Sequence, residues 1–233
     1  MKKVVLLAIA FIFFSNSYAQ KTELRVSLDS GLSAFSGQSA ESSSYMSFSN
    51  FTGSGYTNNP YGSKNALSYG VSLNLKRVTK VNFIYGIGVG YEDLRSKTSL
   101  TNVFNDGSEA IPVSGETFMN VNTINVNPFA GYRFNADKFP IDLAAGFDIA
   151  NILSTKEKGD ATDASGNKYT TSRDRKTIST DFRPRIQIST DYQKFGVYLG
   201  YSFGLRNYLD GYVGGTNEAY SKIFRFGITY QVL

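Results

Sequence analysis

Residues 67–91 read LSYGVSLNLKRVTKVNFIYGIGVGY, and apolar and polar residues alternate on both sides of a short polar break at 77–80. A period of two is typical of β-strands that have one apolar and one polar face. Each arm has about 11 residues, which at roughly 3.4 Å per residue and a tilt of about 45° rise about 26 Å, the height of a bilayer core. The segment therefore predicts one transmembrane hairpin. Its apolar face comprises Leu67, Tyr69, Val71, Leu73, Leu75, Val81, Phe83, Tyr85, Ile87, Val89 and Tyr91.

The same alternation appears eight times between Glu23 and the last residues of the chain. Long connections are predicted at about 35–66, 93–119, 153–178 and 207–220, and short turns at 77–80, at 135–138 and after Tyr192. Long and short connections that alternate are typical of outer-membrane barrels. The pattern predicts an all-β fold, an eight-stranded antiparallel up-and-down transmembrane β-barrel with long extracellular loops and short periplasmic turns.

The first 19 residues have the features of a secretory signal peptide. Lys2 and Lys3 precede an apolar core at 4–14, and Ser17-Tyr18-Ala19 supplies small residues at the cleavage site. We expect residues 1–19 to be removed and residues 20–233 to form the barrel in the outer membrane. No internal apolar run approaches the roughly 20 residues that a membrane helix needs.

The composition excludes several kinds of site. The chain contains no cysteine and no histidine, so it has no disulfide framework, no thiolate metal site and no histidine general base. The net charge of +5 is spread along the chain, which disfavours nucleic-acid binding. We therefore predict no catalytic residue, no metal, no cofactor and no nucleic-acid partner.

Two strands carry a glycine–aromatic pattern, YGIGVGY at 85–91 and FGVYLGY at 195–201. With the leader and the eight alternating strands, the sequence resembles the outer-membrane β-barrel domain family, the PorT-like and OmpX-like small barrels of Gram-negative envelopes. The resemblance covers nearly all of the chain after the leader. It implies a barrel fold and no shared catalytic residues. Some members are implicated in secretion or adhesion, and this sequence singles out neither.

The polar face of the predicted strands points into the lumen. Alternation places seven acidic and seven basic residues there: Glu23, Asp29, Glu92, Asp142, Asp148, Asp181 and Asp191 with Arg25, Lys76, Arg133, Arg183, Arg185, Arg206 and Arg225. Such a lumen is either a charged binding site or ion path, or a structural network of ion pairs in a barrel too narrow for water flow. We predict the structural network, built around Arg25, Asp29, Arg133, Asp148, Asp181, Arg183, Arg185, Arg206 and Arg225.

The predicted loops are the candidate binding surfaces. Tyr45, Phe48, Phe51, Tyr56 and Tyr61 lie among Ser, Gly and Asn in the first loop, where they either form an adaptable binding surface or fold over the barrel rim. The segment GDATDASG at 159–166 does not have the spacing of an EF-hand calcium loop.

Three hypotheses for the function follow. The first is a non-enzymatic, monomeric barrel in outer-membrane lipid, with a structural, interaction or secretion-associated role and an extracellular or envelope protein partner bound through loops 35–66 and 153–178. The second is a narrow channel or transporter for small solutes. The third is a soluble ligand-binding barrel of lipocalin type, which would instead place its apolar side chains inside.

Overall fold

The computed structural model describes residues 21–106, 109–134 and 138–233. The signal peptide predicted at 1–19 lies outside the described residues, and so do three of the four residues of the turn predicted at 135–138. Within the described part of the chain, no helix is long and apolar enough to cross a membrane.

The described residues form eleven β-strands. They are β1 (Lys21–Ser36), β2 (Ser43–Ser49), β3 (Ser54–Thr57), β4 (Lys64–Val78), β5 (Phe83–Asn105), β6 (Ala110–Phe134), β7 (Ile141–Asp163), β8 (Lys168–Asp174), β9 (Thr180–Tyr192), β10 (Phe195–Phe203) and β11 (Tyr220–Gln231).

Eight of these strands form a closed ring in the order β1-β4-β5-β6-β7-β9-β10-β11. Every neighbouring pair in the ring is antiparallel, and β1 pairs with β11 from Arg25↔Gln231 to Ser36↔Tyr220. The predicted eight-stranded up-and-down barrel is therefore confirmed. The end of the barrel that carries the long connections is called the outer end below.

The outward face of the ring is an apolar belt. Leu73, Leu199 and Ile228 are 49%, 50% and 60% exposed, as expected of side chains that face lipid. At the end opposite the outer end, Phe195 and Tyr230 pack edge to face with ring centroids 5.2 Å apart. The apolar residues lie outside and the charged residues inside, so the lipocalin-type hypothesis is wrong.

Two of the four predicted loops are largely β-structure, and a third is half β-structure. Strands β5 and β6 stay paired as far as Phe104↔Ala110, across most of the segment predicted as a loop at 93–119. Strand β8 pairs with β7 from Lys156↔Asp174 to Thr162↔Lys168, inside the loop predicted at 153–178. The prediction fails there because, beyond the belt, the outward face meets water and is polar, so the alternation of apolar and polar residues disappears.

The loop predicted at 35–66 contains β2 and β3. Strand β2 pairs in parallel with the outer half of β5, from Ser43↔Ser99 to Phe48↔Asn105, and β3 pairs with β2. Only the connection predicted at 207–220 lies almost entirely between strands, after β10 and before β11. Among the described residues, the barrel therefore carries an extension in which β2, β3 and β8 join the outer halves of β5, β6 and β7.

Pro128 and Pro184 lie inside barrel strands, where we expected a bulge or local distortion because proline lacks the N–H of the ladder. The register is unshifted at both positions. The β6–β7 ladder lacks pairs at Asn127 and Pro128, and the β9–β10 ladder ends at Arg185↔Ser202, one residue before Pro184. Neither proline forms a bulge, and the local distortion is an interruption of the β6–β7 ladder at Pro128, while Pro184 lies just beyond the end of the β9–β10 ladder.

Replacing Leu73 or Leu199 by arginine should lower the free energy of unfolding by about 2–4 kcal/mol, since both face lipid near the middle of the belt. Urea unfolding of protein refolded into liposomes measures this change. Val213→Arg is the control, because Val213 is fully exposed in the β10–β11 connection. Equal unfolding midpoints for all three variants would contradict the assigned lipid face.

Candidate functional site: the charged lumen and the outer platform

The lumen near the short turns contains a cluster of three cations and three carboxylates, called the inner cluster. Arg133 Nε lies 2.6 Å from Asp142 Oδ1, and Arg133 Nη1 lies 3.0 Å from Glu23 Oε1. Lys76 Nζ bridges the same two carboxylates at 2.5 and 3.1 Å. The cluster comprises Glu23, Arg25, Lys76, Arg133, Asp142 and Asp191, all buried.

Arg25 connects the inner cluster across the closure of the barrel. Its guanidinium donates to Glu23 on its own strand and to Asp191 on β9. Gly196 leaves the space for that carboxylate, because a Cβ at Gly196 would collide with Asp191 Oδ1. The ion pair between Arg25 and Asp191 therefore depends on the absence of a side chain at Gly196.

A second set of charges, called the middle cluster, lies further toward the outer end. Arg183 Nη2 and Arg225 Nε contact the two oxygens of Glu92 at 3.0 and 2.8 Å. Arg225 Nη2 also lies 3.0 Å from Asp148 Oδ2, while Arg185 Nη1 lies 3.6 Å from Asp148 Oδ1. The cluster comprises Glu92, Asp148, Arg183, Arg185 and Arg225.

Two predicted network members accept hydrogen bonds from hydroxyl groups instead. Asp29 accepts a hydrogen bond of 2.6 Å from the hydroxyl of Tyr198. Asp181 accepts hydrogen bonds from Ser221 Oγ at 2.7 Å and from the hydroxyl of Tyr208 at 3.1 Å. The alternation of the sequence gives the face on which a side chain lies, and it gives no information about the partner.

The prediction that Arg206 lies in the lumen is wrong. Strand β10 ends at Phe203, so the alternation no longer applies at Arg206. Its side chain is 47% exposed and lies 3.8 Å from Asp210, which is also exposed.

A small cavity of about 60 Å³ lies in the lumen and is bordered by members of both clusters, including Lys76, Asp142 and Arg185. Its other lining residues include Asn74, Gln187 and Tyr198. A volume of this size accommodates a few water molecules. The lumen therefore has a polar interior that side chains largely fill.

The outer mouth of the lumen is closed by an apolar cluster, called the plug. Phe35 packs edge to face against Tyr61 and Tyr208, with both pairs of ring centroids 4.9 Å apart. Tyr61 comes from the β3–β4 connection and Tyr208 from the β10–β11 connection, so two loops fold inward. Burial raises the pKa of Tyr61 to about 12. The plug comprises Phe35, Tyr61, Leu94, Met119, Val121, Ile178, Tyr208, Leu209, Ala219 and Ile223.

The strands beyond the mouth enclose a second core and form the outer platform, which consists of β2, β3, β8 and the outer halves of β5, β6 and β7. Its buried residues are Met46, Leu100, Val103, Ala161 and Tyr169, with Phe48, Ile111 and Val113 packed against them. Of the five first-loop aromatics, Tyr61 is in the plug and Phe48 packs on this core, while Phe51 is 96% exposed. Tyr61 therefore folds over the barrel rim, and a binding surface at the exposed aromatics stays a prediction.

Glu157, on β7, joins β3 and β8 within the outer platform. Its carboxylate is fully buried and accepts hydrogen bonds from the backbone N–H of Thr57 at 2.6 Å and from Thr171 Oγ1 at 2.9 Å. Arg175 Nε donates to the other oxygen at 2.5 Å, and its guanidinium also donates to the carbonyl of Thr57. Sequence reasoning missed this site, because Glu157 and Arg175 lie in a segment predicted as a loop.

The rejected calcium segment at 159–166 comprises the end of β7 and the turn that follows it. Asp163 accepts hydrogen bonds from the backbone N–H groups of Ser165 and Asn167, from the Asn167 amide and from the Tyr169 hydroxyl. The Asn167 hydrogen bonds lower the pKa of the Asp163 carboxyl. In the described ranges, no group of three or more His, Cys, Asp or Glu side chains is arranged to hold a metal ion.

Replacing Arg183 by alanine should lower the free energy of unfolding by about 3–5 kcal/mol, because Glu92 and Asp148 lose a cation in a buried site. Arg206→Ala is the control, and it should change the same quantity by less than about 1 kcal/mol because that ion pair is exposed. Urea unfolding in liposomes measures both. A loss for Arg183→Ala no larger than the loss for Arg206→Ala would show that the middle cluster does not stabilise the barrel.

Comparison with solved structures finds small bacterial barrels of low sequence identity. Ail, the attachment invasion locus protein of Yersinia pestis, in complex with the heparin analogue sucrose octasulfate, is 11% identical, with 91% of this chain and 99% of that chain covered and a TM-score of 0.37. Neisserial surface protein A is 10% identical, with the same coverages and a TM-score of 0.38. Comparison with curated proteins gives no match.

The family comparison covers most of the chain. The sequence profile of the family described as "Outer membrane protein beta-barrel domain" matches residues 18–210. That range contains seven of the eight strands of the closed ring, all but β11, together with the lumen clusters except for Arg225 and the whole outer platform. The chain belongs to the outer membrane protein beta-barrel domain family, and it is located in the outer membrane.

Proposed function

We propose that the protein is a non-enzymatic, monomeric barrel that holds the outer platform at the cell surface for contact with an extracellular or envelope protein. The observation that supports this proposal most strongly is that the platform has its own core, with Glu157 joining strands from two different connections. The proposal includes removal of residues 1–19 and a mature chain of residues 20–233.

The platform is well suited to presenting a fixed surface. Ordering a long loop on binding opposes association, because the chain loses conformational entropy at that moment. Here β2 is already paired with β5, and β3 with β2, before any partner arrives. The exposed ring of Phe51, in the β2–β3 turn, is thereby held at a defined place.

Two features disfavour the channel hypothesis. The lumen contains buried ion pairs in both clusters, and separating such a pair costs several kcal/mol. The plug then closes the outer mouth with apolar side chains, which exclude ions and water. An ion crossing the barrel would have to disrupt both.

Planar-bilayer recordings of the purified protein should therefore give no steady conductance at moderate voltage. A porin reconstituted in the same way is the positive control for insertion. Reproducible, single-sized conductance steps from the wild-type protein would overturn the closed lumen and favour the channel hypothesis.

Cysteine substitution tests the proposed presentation, since the natural chain contains no cysteine to give background labelling. Phe51→Cys should react with a membrane-impermeant maleimide on intact cells, and a maleimide cross-linker at that position should form a discrete adduct with a second protein. Lys80→Cys, exposed in a short turn at the other end of the barrel, should not react.

A second variant separates presentation from partner binding. Phe51→Cys combined with Glu157→Ala should keep the surface labelling but lose the adduct, because the platform is no longer held together. Labelling of Lys80→Cys without labelling of Phe51→Cys would show that the barrel has the opposite orientation in the membrane. Labelling of Phe51→Cys with no adduct would contradict the proposed partner.

A further inference from the structure

The outward face of the extension carries a concentration of positive charge on two successive rows of paired residues. The first row joins Arg95, Asn120 and Lys156 across β5, β6 and β7. The second row joins Lys64, Lys97, Phe118 and Lys158 across β4 to β7. The five cations of these rows, Lys64, Arg95, Lys97, Lys156 and Lys158, are called the basic band.

The basic band lies directly beyond the apolar belt. Lys156 follows the exposed Leu153 by three residues on β7, and Lys64 precedes the exposed Leu67 by three residues on β4. Three residues of strand span about 10 Å, or about 7 Å of height at a tilt of about 45°. The polar headgroup region is about 5–7 Å thick on each side of a bilayer core. Lys64 and Lys156 are therefore at the height of the lipid phosphates, and Lys158 lies two residues, or about 5 Å of height, further out.

Carboxylates neutralise only part of the basic band. Arg95 Nη2 lies 3.0 Å from Asp93 Oδ2, and Lys97 Nζ lies 2.9 Å from Glu116 Oε1. Lys64 Nζ donates to the hydroxyl of Ser99 at 2.6 Å.

The remaining two cations keep their charge available. On the neighbouring strand β8, Asp174 is paired with Lys156 and Ser172 is paired with Lys158. Within the described ranges, neither lysine has a carboxylate oxygen within the 4.0 Å of an ion pair. An excess of positive charge therefore faces the headgroup layer.

The chemistry around the basic band favours a lipid over a soluble polyanion. The half-buried ring of Phe118 lies between Lys97 and Lys158 in the second row, so apolar surface extends from the belt into the row of charges. Lysine side chains cover apolar surface with their methylene groups and place the ammonium at the interface. A molecule with acyl chains below and phosphates above matches both features, whereas a soluble polyanion matches only the second.

We propose that the basic band binds the phosphate groups of outer-leaflet lipid, with Lys156 and Lys158 as the principal contacts. Ammonium groups bind phosphate oxygens through charge-assisted hydrogen bonds. The extension then stands at a fixed height and orientation on the β4–β7 side of the barrel. This proposal depends on the membrane location of the barrel and not on the proposed protein partner.

The test uses purified full-length protein in neutral detergent micelles, with bisphosphorylated lipid A and chemically dephosphorylated lipid A as probes. Binding is measured by native mass spectrometry and by the shift of the unfolding midpoint on lipid addition. The wild-type protein should prefer the phosphorylated lipid, and Lys156→Gln/Lys158→Gln should weaken its binding by about 30-fold. Raised salt should reduce the preference.

Lys158→Gln and Lys168→Gln form a matched pair, because both lysines are exposed on the β7–β8 hairpin but Lys168 lies nearer its tip. Only Lys158→Gln should weaken lipid binding, and the unfolding midpoints without lipid should agree. Equal loss in the two variants, or equal wild-type affinity for the two lipids, would overturn the proposal. Displacement of the lipid by an equimolar soluble sulfated polysaccharide would also overturn it, since the surface would then bind soluble polyanions.

Discussion

Closure of the sheet between β1 and β11 is the constraint on which the other features depend. Hydrocarbon offers no hydrogen-bond partner, so every N–H and C=O of a membrane-spanning strand needs a partner within the sheet. A ring of eight strands meets this requirement and has an interior only wide enough for side chains. The small residues of the inward face, such as Gly196, then leave space for the long charged residues that close the lumen.

The interior of the ring is organised in layers along its axis. The inner cluster pairs three cations with three carboxylates beside the short turns, and the middle cluster pairs three arginines with two carboxylates nearer the outer end. At the outer mouth, where the lumen would otherwise open to water, the plug consists of aromatic and aliphatic side chains and not of charged ones. Because the wall is strongly apolar outside and strongly charged inside, a strand that slips by one residue would put charges into lipid. The lumen charges therefore also enforce the register.

The sequence predicted the barrel well and the platform poorly, for one physical reason. In the membrane, lipid requires an apolar residue at every second position. Leu73 and Leu199 can therefore be assigned to the lipid-facing side of their strands from the alternation alone. Beyond the belt both faces are polar or small, so Ser96 and Thr98 look like loop residues although they lie buried in β5. Arg206 shows the same limit, because the alternation cannot show where a strand stops.

Contacts between residues that are distant in sequence could not be predicted. Glu157 and Arg175 meet Thr57 across about 100 residues of chain, and nothing local in the sequence marks that contact. Tyr61 and Tyr208 likewise meet only because two loops turn into the same mouth. The charges of the inner cluster were placed on the correct face by alternation, whereas their pairing required the geometry of the ring.

The parallel pairing of β2 with β5 has a consequence for the order of assembly. Antiparallel neighbours can form as hairpins as soon as both arms exist, whereas β2 has to wait for β4 and β5 to come into place. The Glu157 contact waits longer still, until β7 and β8 have joined. Non-local contacts of this kind form late. The surface structure is therefore completed after most of the barrel wall exists, so an intact platform indicates that assembly has passed β7.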